Sequence, residues 1–190
     1  MRRLVSFMHT SVDGFAAGPN GEMDWIHVDE QIFNYAGHQT DQADIALYGR
    51  VTFEMMDAYW PTAGDQPGAS KHDIKHSTWY NTVDKIVLSH TIKEVPKSKI
   101  TFIGDRIVER VNEFKNQPGK NIIVFGSPTA VRYLLQENLV DDLWLFINPI
   151  ILGNGLSFMD GVKDRLKLKL ISSHAFDSGV VCLQYSKIGQ

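Results

Sequence analysis

Three short stretches of this 190-residue chain place hydroxyl residues, with glycine in two of them, beside arginine or histidine, as an anion site requires. In "YGRVTFE", Gly49 permits a tight backbone, Arg50 carries a fork of donors, and Thr52 opens a helix whose first N–H groups lack partners. Such N–H groups at the positive end of a helix, beside a guanidinium, suit a phosphate. In "NIIVFGSPTAVRYLL", Gly126 ends a buried strand, Ser127 can cap the next helix, and Pro128 fits its first turn, so backbone can approach a pyrophosphate. In "KIVLSHT", Ser89 and His90 leave a strand as polar groups able to meet a ribose or phosphate. Each stretch alone is equally well explained by ordinary capping or a loop start. Together they follow three different strands, and in a parallel sheet they converge on one rim, where a long anionic ligand such as a nucleotide cofactor can lie across them.

The elements that must position them are visible as apolar runs of strand length, covering residues 3–9, 44–49, 85–90, 100–104, 121–126 and 143–151. Several are apolar on both pleat faces, as strands covered by helices on each side are. Helical stretches lie between them: "GRVTFEMMDAY", "ASKHDIKHSTWYN", "DRIVERVNEFKNQ" with Ile107, Val111 and Phe114 near a 3.6 period, and "SPTAVRYLLQENL". This alternation reads as an α/β fold with a mostly parallel central sheet flanked by helices. The end differs: "RLKLKLISSHAF" and "GVVCLQYSKI", separated by "DSG", predict a C-terminal antiparallel hairpin with one wet face carrying Lys167 and Lys169. The stretch 61–70 reads as a surface loop rather than a linker, leaving a single domain over residues 1–190.

Hydrophobic residues at 43% and charged residues at 22% are ordinary for a globular chain, and the formal net charge of −3 argues against a nucleic-acid partner. The first residues are too short an apolar run for a signal peptide or a membrane span, so a cytoplasmic protein with no membrane partner is expected. The single cysteine, Cys182, reads as a small apolar strand residue. His72 and His76, spaced i, i+4, lack an evident third ligand, so no metal is expected and a solvated helix face is predicted there.

Five segments in this order, "VSFMHTSVDGFAAGPNGEMDW", "ADIALYGRVTFE", "KIVLSHT", "IIVFGSPTAVRYLL" and "DDLWLFINPIILGNGLSF", resemble the dihydrofolate reductase-like superfamily. More narrowly they resemble the riboflavin-biosynthesis reductase (RibD C-terminal) domain and its stand-alone bacterial members. The resemblance implies a dihydrofolate reductase-like three-layer fold and a reductase moving hydride from NADPH, with NADH as the alternative, to a flat heterocycle of pterin or pyrimidine type. It places the cofactor's phosphates on Gly49, Arg50 and Thr52, the adenosine 2′-phosphate beside Ser89 and His90, and the pyrophosphate on Gly126, Ser127 and Thr129. His90 stands where an arginine is common, and Gly126-Ser127 where two glycines are common. The loop at residues 11–27, through Asp13, Gly14, Ala16 and Ala17, would border the nicotinamide and exclude water.

For the accompanying proton the candidates are Asp24, Asp29 and Glu30; Glu30 lies a few residues past Trp25, as the substrate-side carboxylate does in dihydrofolate reductases. Glu30 and Asp13 are the carboxylates assigned to catalysis, while a helix-start acid stabilising the dipole is the plainer role for Glu30. Trp25, Phe146 and Asn148 are the substrate-side candidates, with loop anchoring, core packing and turn capping as their alternatives. Two other classes stay open: a non-catalytic nucleotide- or heterocycle-binding module, and a flavin-using oxidoreductase. A homodimer is implied by the resemblance and by the exposed edge of the terminal hairpin.

Overall fold

Runs such as LVSFMHT and NIIVF are apolar on both pleat faces and need cover on both sides. In the computed structural model, which describes residues 1–91 and 99–188, they receive it. The order is β1 (Leu4–Thr10), β2 (Phe15–Ala17), α1 (Glu30–Asp41), β3 (Ala43–Gly49), α2 (Arg50–Ala63), α3 (Lys71–Thr82), β4 (Asp84–Leu88), β5 (Ile100–Ile103), α4 (Ile107–Asn116), β6 (Asn121–Phe125), α5 (Pro128–Gln136), β7 (Asp142–Ile147), β8 (Leu156–Ser157), β9 (Leu168–Ala175) and β10 (Val181–Lys187).

One 8-stranded sheet runs β5-β4-β3-β6-β1-β7-β10-β9. Every pairing from β5 through to β7 is parallel, and the terminal hairpin adds β10 antiparallel to β7 and β9 antiparallel to β10. The two faces are built from different chemistry. Phe7, Tyr48, Phe53, Tyr80, Phe125, Trp144 and Phe146 form an aromatic core under α1, α2 and α3. Leu4, Leu47, Ile122, Val124, Val131 and Leu134 form an aliphatic one under α4 and α5. Cys182 is fully buried in the first of these, and burial pushes its thiol up to about 12. Lys167 and Lys169 are exposed, as the hairpin's wet face requires.

The differences from the sequence reading have local causes. β7 stops at Ile147 instead of continuing to Ile151, because Asn148 turns its amide inward and Pro149 has no N–H to offer a ladder. α2 continues through Pro61 to Ala63, which shortens the predicted 61–70 loop. α1 escapes the periodicity because only Ile32 and Thr40 along it are buried. β2 and β8 are too short for alternation to reveal, yet they pair antiparallel and fasten the segment after β1 to the segment after β7.

That fastening depends on Gly155, whose φ of +151° and close approach to β2 leave no room for a side chain: a Cβ there would lie 2.2 Å from the Ala17 carbonyl oxygen. Replacing Gly155 by Ala is expected to destabilise the fold by roughly 2–3 kcal/mol, read as a lower urea midpoint at unchanged slope.

Candidate functional site

β4, β3 and β6 are immediate neighbours and parallel, so the turns that leave them lie side by side on one rim of the sheet. α2 starts directly after β3, and Gly126-Ser127 lead from β6 into α5; α4, which follows the adjacent β5, starts on the same rim. The caps of these helices separate into two groups. α1 is capped by Asp29, which accepts from the Ile32 N–H at 2.8 Å, and α3 by a reciprocal Ser70–Asp73 box. Among the described residues no side chain caps α2, α4 or α5. The first residues of these three helices line a cleft of about 570 Å³ whose walls include Gly49, Thr52, Ser89, Ile107, Ser127 and Thr129.

Ser127 builds this rim without capping it. It and Gly126 both take left-handed backbone, with φ of 53° and 51°. The Ser127 hydroxyl accepts the Gly49 N–H at 3.0 Å and donates to the Phe125 carbonyl at 3.2 Å, tying the ends of β3 and β6 together. Arg50 lines the cleft with its guanidinium on Glu54, 2.9 Å away, in an exposed pair that contributes little to stability and can be exchanged for an anion. Ser89 is buried at the end of β4 and accepts the Thr91 N–H at 3.2 Å, while His90 is exposed beside it. His90 shares an adjoining hollow with Arg106, the residue before α4, whose guanidinium pairs with Glu109.

A second cavity, of about 340 Å³, lies between α1, α2 and α3 over the aromatic face. It begins one turn along α2 from the cleft, since Thr52 lines the cleft and Met56 the cavity. Phe7, His9, Phe33, Trp60, His76 and Phe125 are among its walls. Phe33 stacks on His72 with ring centres 3.6 Å apart, and His76 lies 4.1 Å from Trp60. Burial pulls His9 down to about 4 and His76 to about 3, and it lowers His72 as well, so these imidazoles are uncharged at neutral pH.

Comparison with known proteins agrees with this geometry. The sequence matches the RibD C-terminal domain over residues 2–182. The chain belongs to the RibD C-terminal domain family. The uncharacterized protein YyaP of Bacillus subtilis (strain 168) is 34% identical over 186 residues, covering 97% of this chain and 94% of YyaP. A crystal structure of a putative riboflavin biosynthesis protein from Shewanella sp. PV-4 has a TM-score of 0.75 at 22% identity, covering 98% of this chain and 99% of that one. Dihydrofolate reductase from Enterococcus faecalis, complexed with NADP(H) and RAB-propyl, has a TM-score of 0.64 at 14% identity, with 98% and 97% covered. The RibD C-terminal fold is thus the dihydrofolate reductase-like one read from the sequence, with the terminal antiparallel pair in place.

Within this RibD C-terminal fold, Gly49, Arg50, Thr52, Ser89, His90, Ser127 and Thr129 come together in the cleft, and Gly126 sits behind it against the Thr52 methyl group. The residues expected around the ring end are placed otherwise. Asp13 is exposed and accepts the Leu152 and Gly153 N–H groups at 3.1 and 2.7 Å, which makes it a clasp for the loop after β7; the Ser11 side chain first, and these two backbone groups after it, hold its carboxyl below the usual range. Ala16 and Ala17 are buried in β2 and line neither hollow. Glu30 is exposed as the first residue of α1, at its positive end, and also lines neither, nor does the exposed Asp24. Asp29 is spent on capping.

Trp25 donates to the Glu22 carbonyl at 3.0 Å and anchors its own loop. Phe146 is fully buried beneath the cavity, stacked on His9 at 4.9 Å. Asn148, also fully buried, accepts the His27 N–H at 2.9 Å and donates to the Phe146 carbonyl at 3.2 Å, which fixes the approach to α1. His72 and His76 do not form a solvated face: they turn inward against Phe33 and Trp60 because α3 packs on α1 and α2. Arg106, Trp60, Met56 and the two histidines are the site residues that the sequence reading leaves out; the i, i+4 spacings of Met56–Trp60 and His72–His76 are the signals that point to them.

His9 gives this region a pH signature. Its native value near 4 lies below the unfolded value of 6.5, so between these the unfolded chain binds more protons and stability falls as the pH drops. Between pH 7 and pH 4 the wild type should lose on the order of 2–3 kcal/mol more stability than His9→Gln, measured by urea unfolding at each pH.

Proposed function

We propose that this protein is a nicotinamide-dinucleotide-dependent reductase, with NADPH as the preferred donor, acting on a flat heterocycle of pterin or pyrimidine type seated in the aromatic cavity. The observation that carries the reading is the division of helix caps. Among the described residues the helices that start on the cleft, α2, α4 and α5, have no side-chain cap, while α1 and α3, which start elsewhere, are both capped. A pyrophosphate supplies the acceptors these termini lack. The NADP(H) bound to the structurally similar Enterococcus dihydrofolate reductase supports the same assignment.

Gly49 and the first turn of α2, with Arg50, would hold one phosphate, and Ser127 with Thr129 at the start of α5 the other. Arg106 and His90 would receive a 2′-phosphate, the guanidinium supplying a permanent charge. When bound, the reduced dinucleotide supplies a hydride equivalent. The chain's own contribution is orientation and exclusion of water: the Phe7–Phe125 contact, with ring centres 5.3 Å apart, forms a hydrophobic wall where cavity and cleft approach along α2. Among the described residues no carboxylate lines the cavity, which favours as second reading a binding module without turnover.

Calorimetric titration with NADPH and NADH tests the first reading, and NADPH oxidation in the presence of flat heterocycles separates it from the second. Arg50→Ala should weaken both cofactors and Arg106→Ala only NADPH, each by about tenfold, the size of one charge-assisted hydrogen bond. No binding of either cofactor at millimolar concentration refutes the dinucleotide assignment, and binding without turnover of any acceptor supports the module.

A further inference from the structure

We propose that the cavity between α1, α2 and α3 selects a flat ring carrying no positive charge, and that His76, with His72, is the specificity-determining group that hydrogen-bonds the ring's polar edge. This rests on the reading of the neighbouring cleft as the dinucleotide site, since the cavity is then the acceptor site. Its walls are mostly aromatic and aliphatic; the polar side chains among them are the imidazoles, Lys71, Lys75, the exposed Asn34 and Thr40, whose hydroxyl already donates to the Gly37 carbonyl at 2.8 Å. The ring nitrogens of His72 and His76 have no hydrogen-bond partner among the described residues, although His76 is packed between Trp60 at 4.1 Å and Trp79 at 5.2 Å. A neutral imidazole offers one donor and one acceptor, so the pair can serve a ring edge that presents both.

Charge decides what kind of ring. Lys71 and Lys75 line the cavity; Lys75 is engaged by Asp41 at 3.0 Å, and Lys71 has no carboxylate partner among the described residues. Glu30 stands outside, Asp41 is held by Lys75, Asp73 is held by Ser70, and among the described residues no carboxylate lines the wall to compensate a buried cation. A cationic ring would lose its hydration, meet a like charge from Lys71, and gain only the modest attraction of the aromatic faces. An uncharged carbonyl-bearing ring keeps the stacking and adds hydrogen bonds to imidazoles that burial keeps neutral.

The test compares two bicyclic probes by calorimetry at pH 7, lumazine, which is uncharged and has donor and acceptor edges, and N-methylquinolinium, a fixed cation. Lumazine is expected to bind at least tenfold more tightly to the wild type. Equal or reversed affinities, or no binding of lumazine at millimolar concentration, overturn the proposal. His76→Phe, which keeps an aromatic wall without polar atoms, should weaken lumazine about tenfold and leave NADPH affinity unchanged. Undiminished lumazine binding by a folded His76→Phe protein overturns the role of His76, and the wild-type comparison stands if that variant does not fold. Loss of NADPH binding to the wild type with the lumazine preference intact refutes the cleft assignment alone.

Discussion

The start of a helix presents N–H groups that its own backbone cannot satisfy, and some acceptor must meet them or water must reach them. In this protein that constraint is met by side chains at α1 and α3 and, among the described residues, by none at α2, α4 and α5. The open termini converge because β5, β4, β3 and β6 are adjacent and parallel, so every helix that follows one of them begins on the same rim. Ser127 ties the convergence together by spending its hydroxyl on the backbone of the adjacent strands β3 and β6. Placed at the same point as a conventional cap, that hydroxyl would have closed the terminus that it now holds open.

The parts of the fold that could be read from sequence are those where one property dominates. Central strands such as NIIVF are apolar on both faces and short, and the junctions after Tyr48, Leu88 and Phe125 are polar, the first and last with a glycine, so both strand and rim announce themselves. Elements with mixed duties are harder to read. α3 turns His72 and His76 inward, and an imidazole counts as polar in any hydropathy pattern even where burial keeps it uncharged. α1 buries little of itself, so its periodicity is faint.

The acids illustrate a different limit. Counting from Trp25 reaches Glu30 at the head of α1, but a count along the chain cannot tell which way a first-turn side chain faces. Asp29 takes the cap and Glu30 remains in solvent. Asp13 and Asn148 look like site residues because polar groups at strand ends often are. Both are consumed in joining the loops that follow β1 and β7: Asp13 clasps the backbone of 152–153, and Asn148 binds the backbone of His27. The polar rim of such a sheet carries two populations, one that builds the loops and one that faces the hollow, and residue type does not distinguish them.

The unequal chemistry of the two sheet faces also makes the molecule one-sided in its intrinsic emission. Of the four indoles, Trp60, Trp79 and Trp144 belong to the layer under α1–α3, Trp25 sits in the first loop, and the aliphatic layer under α4 and α5 contains none among the described residues. Tryptophan fluorescence, excited selectively at the red edge, therefore reports the loosening of one layer and not of the other, so an optical melting curve and a backbone-wide probe such as amide exchange need not coincide even in a chain of this size.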